Sequence, residues 1–149
     1  MVNKKGTYAL ILKASAKKHV VVGRLGRLRI EPGFYMYIGS AFAPGGLKAR
    51  MNHHLTPVAK PHWHIDYLRG CARVVEIWYT TDPLRREHDW VTSMEKLQGA
   101  VIVHPGFGAT DSRDVSHLYF AQKAPGFEPF VNIIRTIPNH CEVFVSKLI

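Results

Sequence analysis

The stretch GFYMYIGSA, residues 33–41, decides how the rest of this 149-residue chain is read. Phe34 to Ile38 is a run of aromatic and apolar side chains of the kind that fits a pleated, buried surface. Glu31-Pro32-Gly33 precedes it as a turn, since Pro32 fixes its φ and Gly33 accepts conformations closed to other residues. The run therefore reads as a strand over 34–39, with Tyr35 and Tyr37 on one face. A core strand needs the aromatics. It does not need the Gly39-Ser40-Ala41 that follows, or the basic helix beyond it that carries Arg50 and His54.

Working outward, TYALILK at 7–13 predicts a second apolar strand, and His19–Val22 a short one. In LGRLRI the second half alternates apolar and basic residues, the period of a half-exposed strand. The first 40 residues are thus expected to form one small antiparallel sheet built from hairpins. LKARMNHHL at 47–55 predicts a helix, with Arg50 and His54 on one face and Leu47 and Met51 on another. PHWHIDYL reads as a short helix or turn packed by Trp63 and Tyr67, and ARVVEIWYT at 72–80 as a strand. A helix is expected over 84–98, capped by Asp82 with Pro83 at its first position. A short apolar segment, a Gly-rich loop and a strand near 117–121 follow. The tail suggests a short helix within 127–137 and a last strand at 141–145.

The chain is long enough for one domain with a core that needs neither metal nor disulfide. No apolar run approaches the roughly 20 residues of a membrane helix, and MVNKKG is not a signal peptide, so a cytoplasmic protein is expected. Cys71 and Cys141 make neither a disulfide framework nor a zinc motif. Twenty Lys and Arg against eleven Asp and Glu give a formal charge of +9, spread through the chain. That balance favours a polyanionic partner, nucleic acid above all. No Walker or dinucleotide-binding loop is present, because GFGATD lacks the lysine and the strand-helix setting.

The polar residues that stand out are Tyr8, Tyr35, Tyr37, Arg50, His54, His64, Asp66, Glu87, Asp111 and His117. A phosphodiester-cleaving site needs a group that takes a proton from water, a cation near the phosphate and usually an acidic metal ligand. Spacing gives one local hint, the shared face of Arg50 and His54. His64 and Asp66 share a face on a strand but not on a helix. They are either site residues or the pins that hold Trp63 and Tyr67 to the core.

Gly6-Thr7-Tyr8 followed by Tyr37-Ile38-Gly39 resembles the paired signature of the GIY-YIG nuclease superfamily. More narrowly, the chain is similar to a small stand-alone branch of it. The likeness rests on YIGSA (37–41), Arg50 and His54 on the next helix, WHIDYL (63–68), Phe107-Gly108 with Asp111, and His117-Leu118, and covers about residues 6–121. It departs at two places. The branch commonly has Glu-Cys where this chain has Glu87-His88, and Asp-Cys-x-Cys where it has Asp111-Ser112-Arg113-Asp114.

The resemblance implies an α+β domain, a small central antiparallel sheet flanked by helices; residues 122–149 lie outside it and are expected to pack on that domain as an extension. It implies that Tyr8, with Tyr37 close in role, helps deprotonate the attacking water. Arg50 would hold the scissile phosphate, and His54 would serve as a second base or phosphate donor or pair with an acid. Glu87 would hold Mg2+, or Mn2+ in its place. Ser40, Lys48, His64 and His117 would contact nucleic acid, and Gly39, Asp66 and Asp111 would support the groups that touch it.

The activity expected is metal-dependent hydrolysis of DNA at a structure or lesion, with a protein partner able to supply specificity. The alternatives are a nucleic-acid-binding module that keeps the fold without turnover, and a protein-binding scaffold. Composition and motif leave DNA against RNA, and the oligomeric state, open.

Overall fold

In the computed structural model, residues 3–109 and 114–148 are described. The chain runs β1 (Gly6–Ala14), β2 (Lys18–Val22), β3 (Gly26–Ile30), β4 (Gly33–Ala41), α1 (Gly46–Leu55), α2 (His64–Leu68), β5 (Arg73–Thr80) and α3 (Glu87–Lys96). It continues through β6 (Val101–Ile102), β7 (Leu118–Ala121), α4 (Phe127–Ile134) and β8 (Phe144–Lys147). Six strands form one antiparallel sheet in the order β6-β7-β4-β1-β5-β8. No helix among the described residues is long and apolar enough to cross a membrane.

β1 lies at the centre, paired along its whole length with β4 and on its other side with β5. Helices cover both faces of the sheet, and this is why TYALIL is apolar without alternation. On one face Tyr8, Leu10, Leu12, Tyr35 and Tyr37 pack under Leu47 and Met51 of α1 and Ile65 and Leu68 of α2. On the other, Ala9, Ile11, Met36, Ile38 and Trp78 meet Trp90, Val91 and Met94 of α3 and Phe130 and Ile134 of α4.

The α+β architecture is as expected, but the first 40 residues do not make one sheet. β2 and β3 form a separate two-stranded ribbon. The excursion is possible because Val22, Leu28 and Ile30 turn inward to the β1 core while the alternate residues stay in solvent. α3 starts at Glu87 rather than after Pro83, with Arg86 and not Asp82 at its N-cap position. Asp82 accepts from the Leu84 N–H at 2.8 Å and from Arg86 Nη2 at 2.9 Å, so its carboxylate closes a turn instead of capping. The last strand lies at 144–147, not 141–145, because Cys141 is buried against the α3–α4 side and pairing begins where Phe144 stands opposite Tyr79.

Phe130 fixes α4 to the sheet: its ring sits 5.1 Å from that of Trp78 and 5.2 Å from that of Trp90, with no exposure. Phe130→Ala should therefore destabilise the protein by about 3–5 kcal/mol. Urea unfolding followed by tryptophan fluorescence measures this, and an unchanged midpoint would contradict the packing described.

Candidate active site

Tyr8 on β1 stands directly opposite Gly39 on β4, so the two share a face with Tyr37. A Cβ at position 39 would come within 2.5 Å of the Tyr8 hydroxyl and 2.7 Å of its ring. Glycine there is the condition for the phenol to lie across the strand, with its ring centroid 6.5 Å from that of Tyr37. Ser40, one residue on, faces the opposite side of the sheet, across from Thr7, whose Oγ1 accepts from the Arg86 N–H. The structure thus separates Ser40 from the tyrosines.

α1 brings the next two groups. His54, one turn after Arg50, is buried, and its Nε2 lies 2.7 Å from Tyr8 Oη. Burial, then the charges of His53, Arg50 and Arg69, push the His54 pKa down to about 3, so the ring is neutral at ordinary pH. Its Nδ1 has no hydrogen-bond partner among the described residues. Burial pushes the Tyr8 phenol well above its usual range, and the neighbouring Arg50 guanidinium opposes that shift. Tyr37 is raised in the same way, chiefly by burial. The Arg50 guanidinium lies 4.3 Å from the Trp63 ring centroid, so a cation–π contact braces it. Lys48 is exposed on α1. At two residues from Arg50 it leaves the face that meets Tyr8.

WHIDYL forms a helix, and its two polar residues accordingly go to different partners. His64 Nδ1 accepts from the Gly108 N–H at 2.8 Å, which fixes the loop whose Phe107 packs edge-on against Tyr37. Asp66 Oδ2 accepts from the N–H groups of His62 and Trp63, and Oδ1 from His53 Nε2 at 2.9 Å. Burial alone would raise the Asp66 carboxyl, but these donors hold it below its usual range. His53, Trp63 and Phe107 are part of this assembly, although sequence reasoning gave Trp63 only a packing role, Phe107 only a place in the motif, and did not name His53. Their adjacency to His54, His64 and Gly108 was the available signal.

Glu87 opens α3 at the same end of the sheet, and its charge is felt by both Tyr8 and Tyr37. Its Oε2 lies 3.5 Å from Nδ1 of His117, whose Nε2 lies 3.2 Å from Asp114 Oδ2. His88 Nδ1 donates to Asp114 Oδ1 at 2.6 Å. Positions 88 and 114, both among those at which the sequence departs from the pattern it resembles, are therefore in contact. Asp111 lies outside the described residues. The structure brings Tyr8, Tyr37, Arg50, His54, Glu87 and His117 to one region, with His64 and Asp66 as its struts.

Two groups of side chains offer themselves to a cation. Glu87 is partly exposed and presents hard oxygen donors, which fits a Mg2+ ion that keeps most of its waters. His53, His54 and Asp66 bring one ligand atom each to within 4.8 Å of one another. That nitrogen-rich set suits a transition metal better than Mg2+. Asp66 already accepts three hydrogen bonds and lies 3.7 Å from Arg69 Nη1, and this opposes a second positive charge there.

The sequence matches the family described as Domain of unknown function DUF123 over residues 7–137, and the chain belongs to that family. The match runs past residue 121 and includes α4. No curated protein and no solved structure matches the chain.

The low pKa of His54 has a consequence for stability. Above pH 6.5 the ring is neutral whether the chain is folded or not. As pH falls from 6.5 toward about 3 the unfolded chain takes up a proton that the folded one refuses, so stability declines through that window. His54→Gln should reduce the stability lost between pH 6.5 and 4.5 by about 2 kcal/mol. Urea melts of both proteins at the two pH values test this; equal losses would show that His54 titrates normally.

Proposed function

We propose that this DUF123 protein is a GIY-YIG-type nuclease that hydrolyses DNA phosphodiesters with a divalent metal ion, acting in the cytoplasm. The observation that carries the reading is the 2.7 Å contact between Tyr8 Oη and a His54 ring held neutral, in a region shared with Tyr37, Arg50 and Glu87. A neutral His54 with its proton on Nδ1 accepts the Tyr8 hydroxyl hydrogen. The phenol oxygen is then left to accept a hydrogen from water. As that water attacks phosphorus, Tyr8 orients it and its proton is lost to solvent, because a His54 ring held neutral down to about pH 3 is too weak a base to keep it. Arg50, braced by Trp63, faces the charge that develops on the phosphate. Glu87 would hold Mg2+, which supplies Lewis acidity at the phosphate oxygens and the leaving group. His117, between Glu87 and Asp114, orients the glutamate.

One observation favours a second reading, a DNA-binding module without turnover: Tyr8 has no exposed surface at all. A phenol that water cannot reach is a structural hydrogen-bond donor to His54. In either reading a protein partner can supply target choice, since the described chain has no separate base-reading module.

The readings separate on labelled duplex, branched and single-stranded DNA, with RNA counterparts, incubated with Mg2+, Mn2+ or chelator. The nuclease reading expects metal-dependent cleavage, reduced by roughly 10²–10³-fold in Tyr8→Phe and Arg50→Ala. Glu87→Gln should abolish cleavage while binding persists. Binding by the wild type without cleavage of any substrate would favour the module.

A further inference from the structure

The β2–β3 ribbon has a composition that its structural role does not require. Its inner side, Val22, Leu28 and Ile30, anchors it to the core, and α2 packs against β2. Anchoring needs no charge. Residues 15–31 nevertheless carry Lys17, Lys18, Arg24, Arg27 and Arg29 against a single acid, Glu31. Register places His19 opposite Arg29 and Val21 opposite Arg27, so these four share the outward face. Glu31 lies 3.9 Å from Arg29 and 4.0 Å from Lys17. Among the described residues, Lys18, Arg24 and Arg27 pair with no carboxylate.

The ribbon also reaches the loop beside Tyr37. Its turn, Gly23–Leu25, borders the Tyr67 hydroxyl at Gly23, and Leu25 Cδ2 lies 3.4 Å from where a Cβ of Gly106 would stand. Gly106 is two residues from Gly108, whose N–H is held by His64 and whose backbone abuts the Tyr37 ring. A polyanion lying along the cationic face is therefore led across one loop to Tyr37 and Arg50.

We infer that the β2–β3 ribbon is a docking surface for duplex DNA, with Arg24, Arg27 and Arg29 on the phosphates that flank the Tyr8–Arg50 site. The inference rests on the reading of that site as a DNA site and names the form of DNA it takes. Three features select the duplex. A two-stranded ribbon matches the roughly 12 Å major groove of B-DNA. Residues 15–31 contain no Phe, Tyr or Trp on which unpaired bases would stack, as single-strand surfaces require. The deep, narrow major groove of duplex RNA does not admit a ribbon.

The test is fluorescence anisotropy in chelator, so that binding is read without cleavage, on a labelled DNA duplex, its single strand and an RNA duplex over a salt series. Arg27→Glu/Arg29→Glu is compared with Lys96→Glu/Lys147→Glu, which changes net charge equally at exposed sites on α3 and β8. Size exclusion and circular dichroism confirm that both fold. Wild type should prefer the DNA duplex, and the arginine pair should lower its affinity at least ~10-fold and the salt slope by about 2. The lysine pair should leave both nearly unchanged. Equal losses in the two double variants, or single strands or RNA bound as tightly as the DNA duplex, would overturn the ribbon. So would a wild type that binds no duplex. If ribbon variants lose binding while the wild type never cleaves, the ribbon stands and the nuclease reading falls; cleavage with unimpaired ribbon variants gives the reverse.

Discussion

A strand buried on both sides cannot carry an unpartnered polar atom without a penalty of about 1–3 kcal/mol. β1 is such a strand, and Tyr8 is its one long polar side chain on the α1 face. The hydroxyl finds its partner in His54, brought by α1, and Gly39 leaves the room for it. That pairing fixes the register of α1 over the sheet, which in turn places Arg50 beside the same pair. His54 is kept neutral by the surroundings that bury Tyr8, so one packing decision sets the chemistry of both.

Around this pair the polar groups are arranged in supporting arcs rather than in a single ligand set. Asp66 ties the start of α2 to His53 and faces Arg69, and His64 ties α2 to the Phe107-Gly108 loop. At the same end of the sheet, Glu87, His117, Asp114 and His88 run in a chain from α3 to the segment before β7. The two arcs come from parts of the sequence that have no other reason to meet. In each arc a buried carboxylate, Asp66 or Asp114, accepts charge-assisted hydrogen bonds, the kind that holds geometry as well as energy.

The central strands were legible because their apolar runs are long and their turns carry glycine and proline, as at Glu31-Pro32-Gly33. The grouping of Tyr8, Tyr37, Arg50 and His54 was legible because the signature and a helical spacing carry it. What could not be read was set by tertiary choice. Asp82-Pro83 has the form of a helix start, but the Arg86 guanidinium takes that carboxylate and Thr7 takes the Arg86 N–H. The pairing of β1 with β4 rather than β2 depends on contacts distant in sequence. Ser40 lies on the face away from the tyrosines because a period of two turns neighbouring residues apart, and Trp63 was taken for packing because nothing local reveals that it braces Arg50.

The ribbon between β1 and β4 also bears on how the protein assembles. The β1–β4 ladder starts where Ala14 meets Gly33, so everything between those residues must be accommodated before the first pair forms. Because β2 and β3 are a local hairpin, their closure on a microsecond scale draws the two ends together and shortens the effective loop. The β1–β4 pair, with Tyr8 beside Tyr37, can then form early. β5, β8 and the α3–α4 layer join across much longer separations, and strand pairing of that range is the slow part of folding. The Tyr8–Tyr37–His54 group would be laid down by the first half of the chain, and the second half would bring Glu87 and His117 to it.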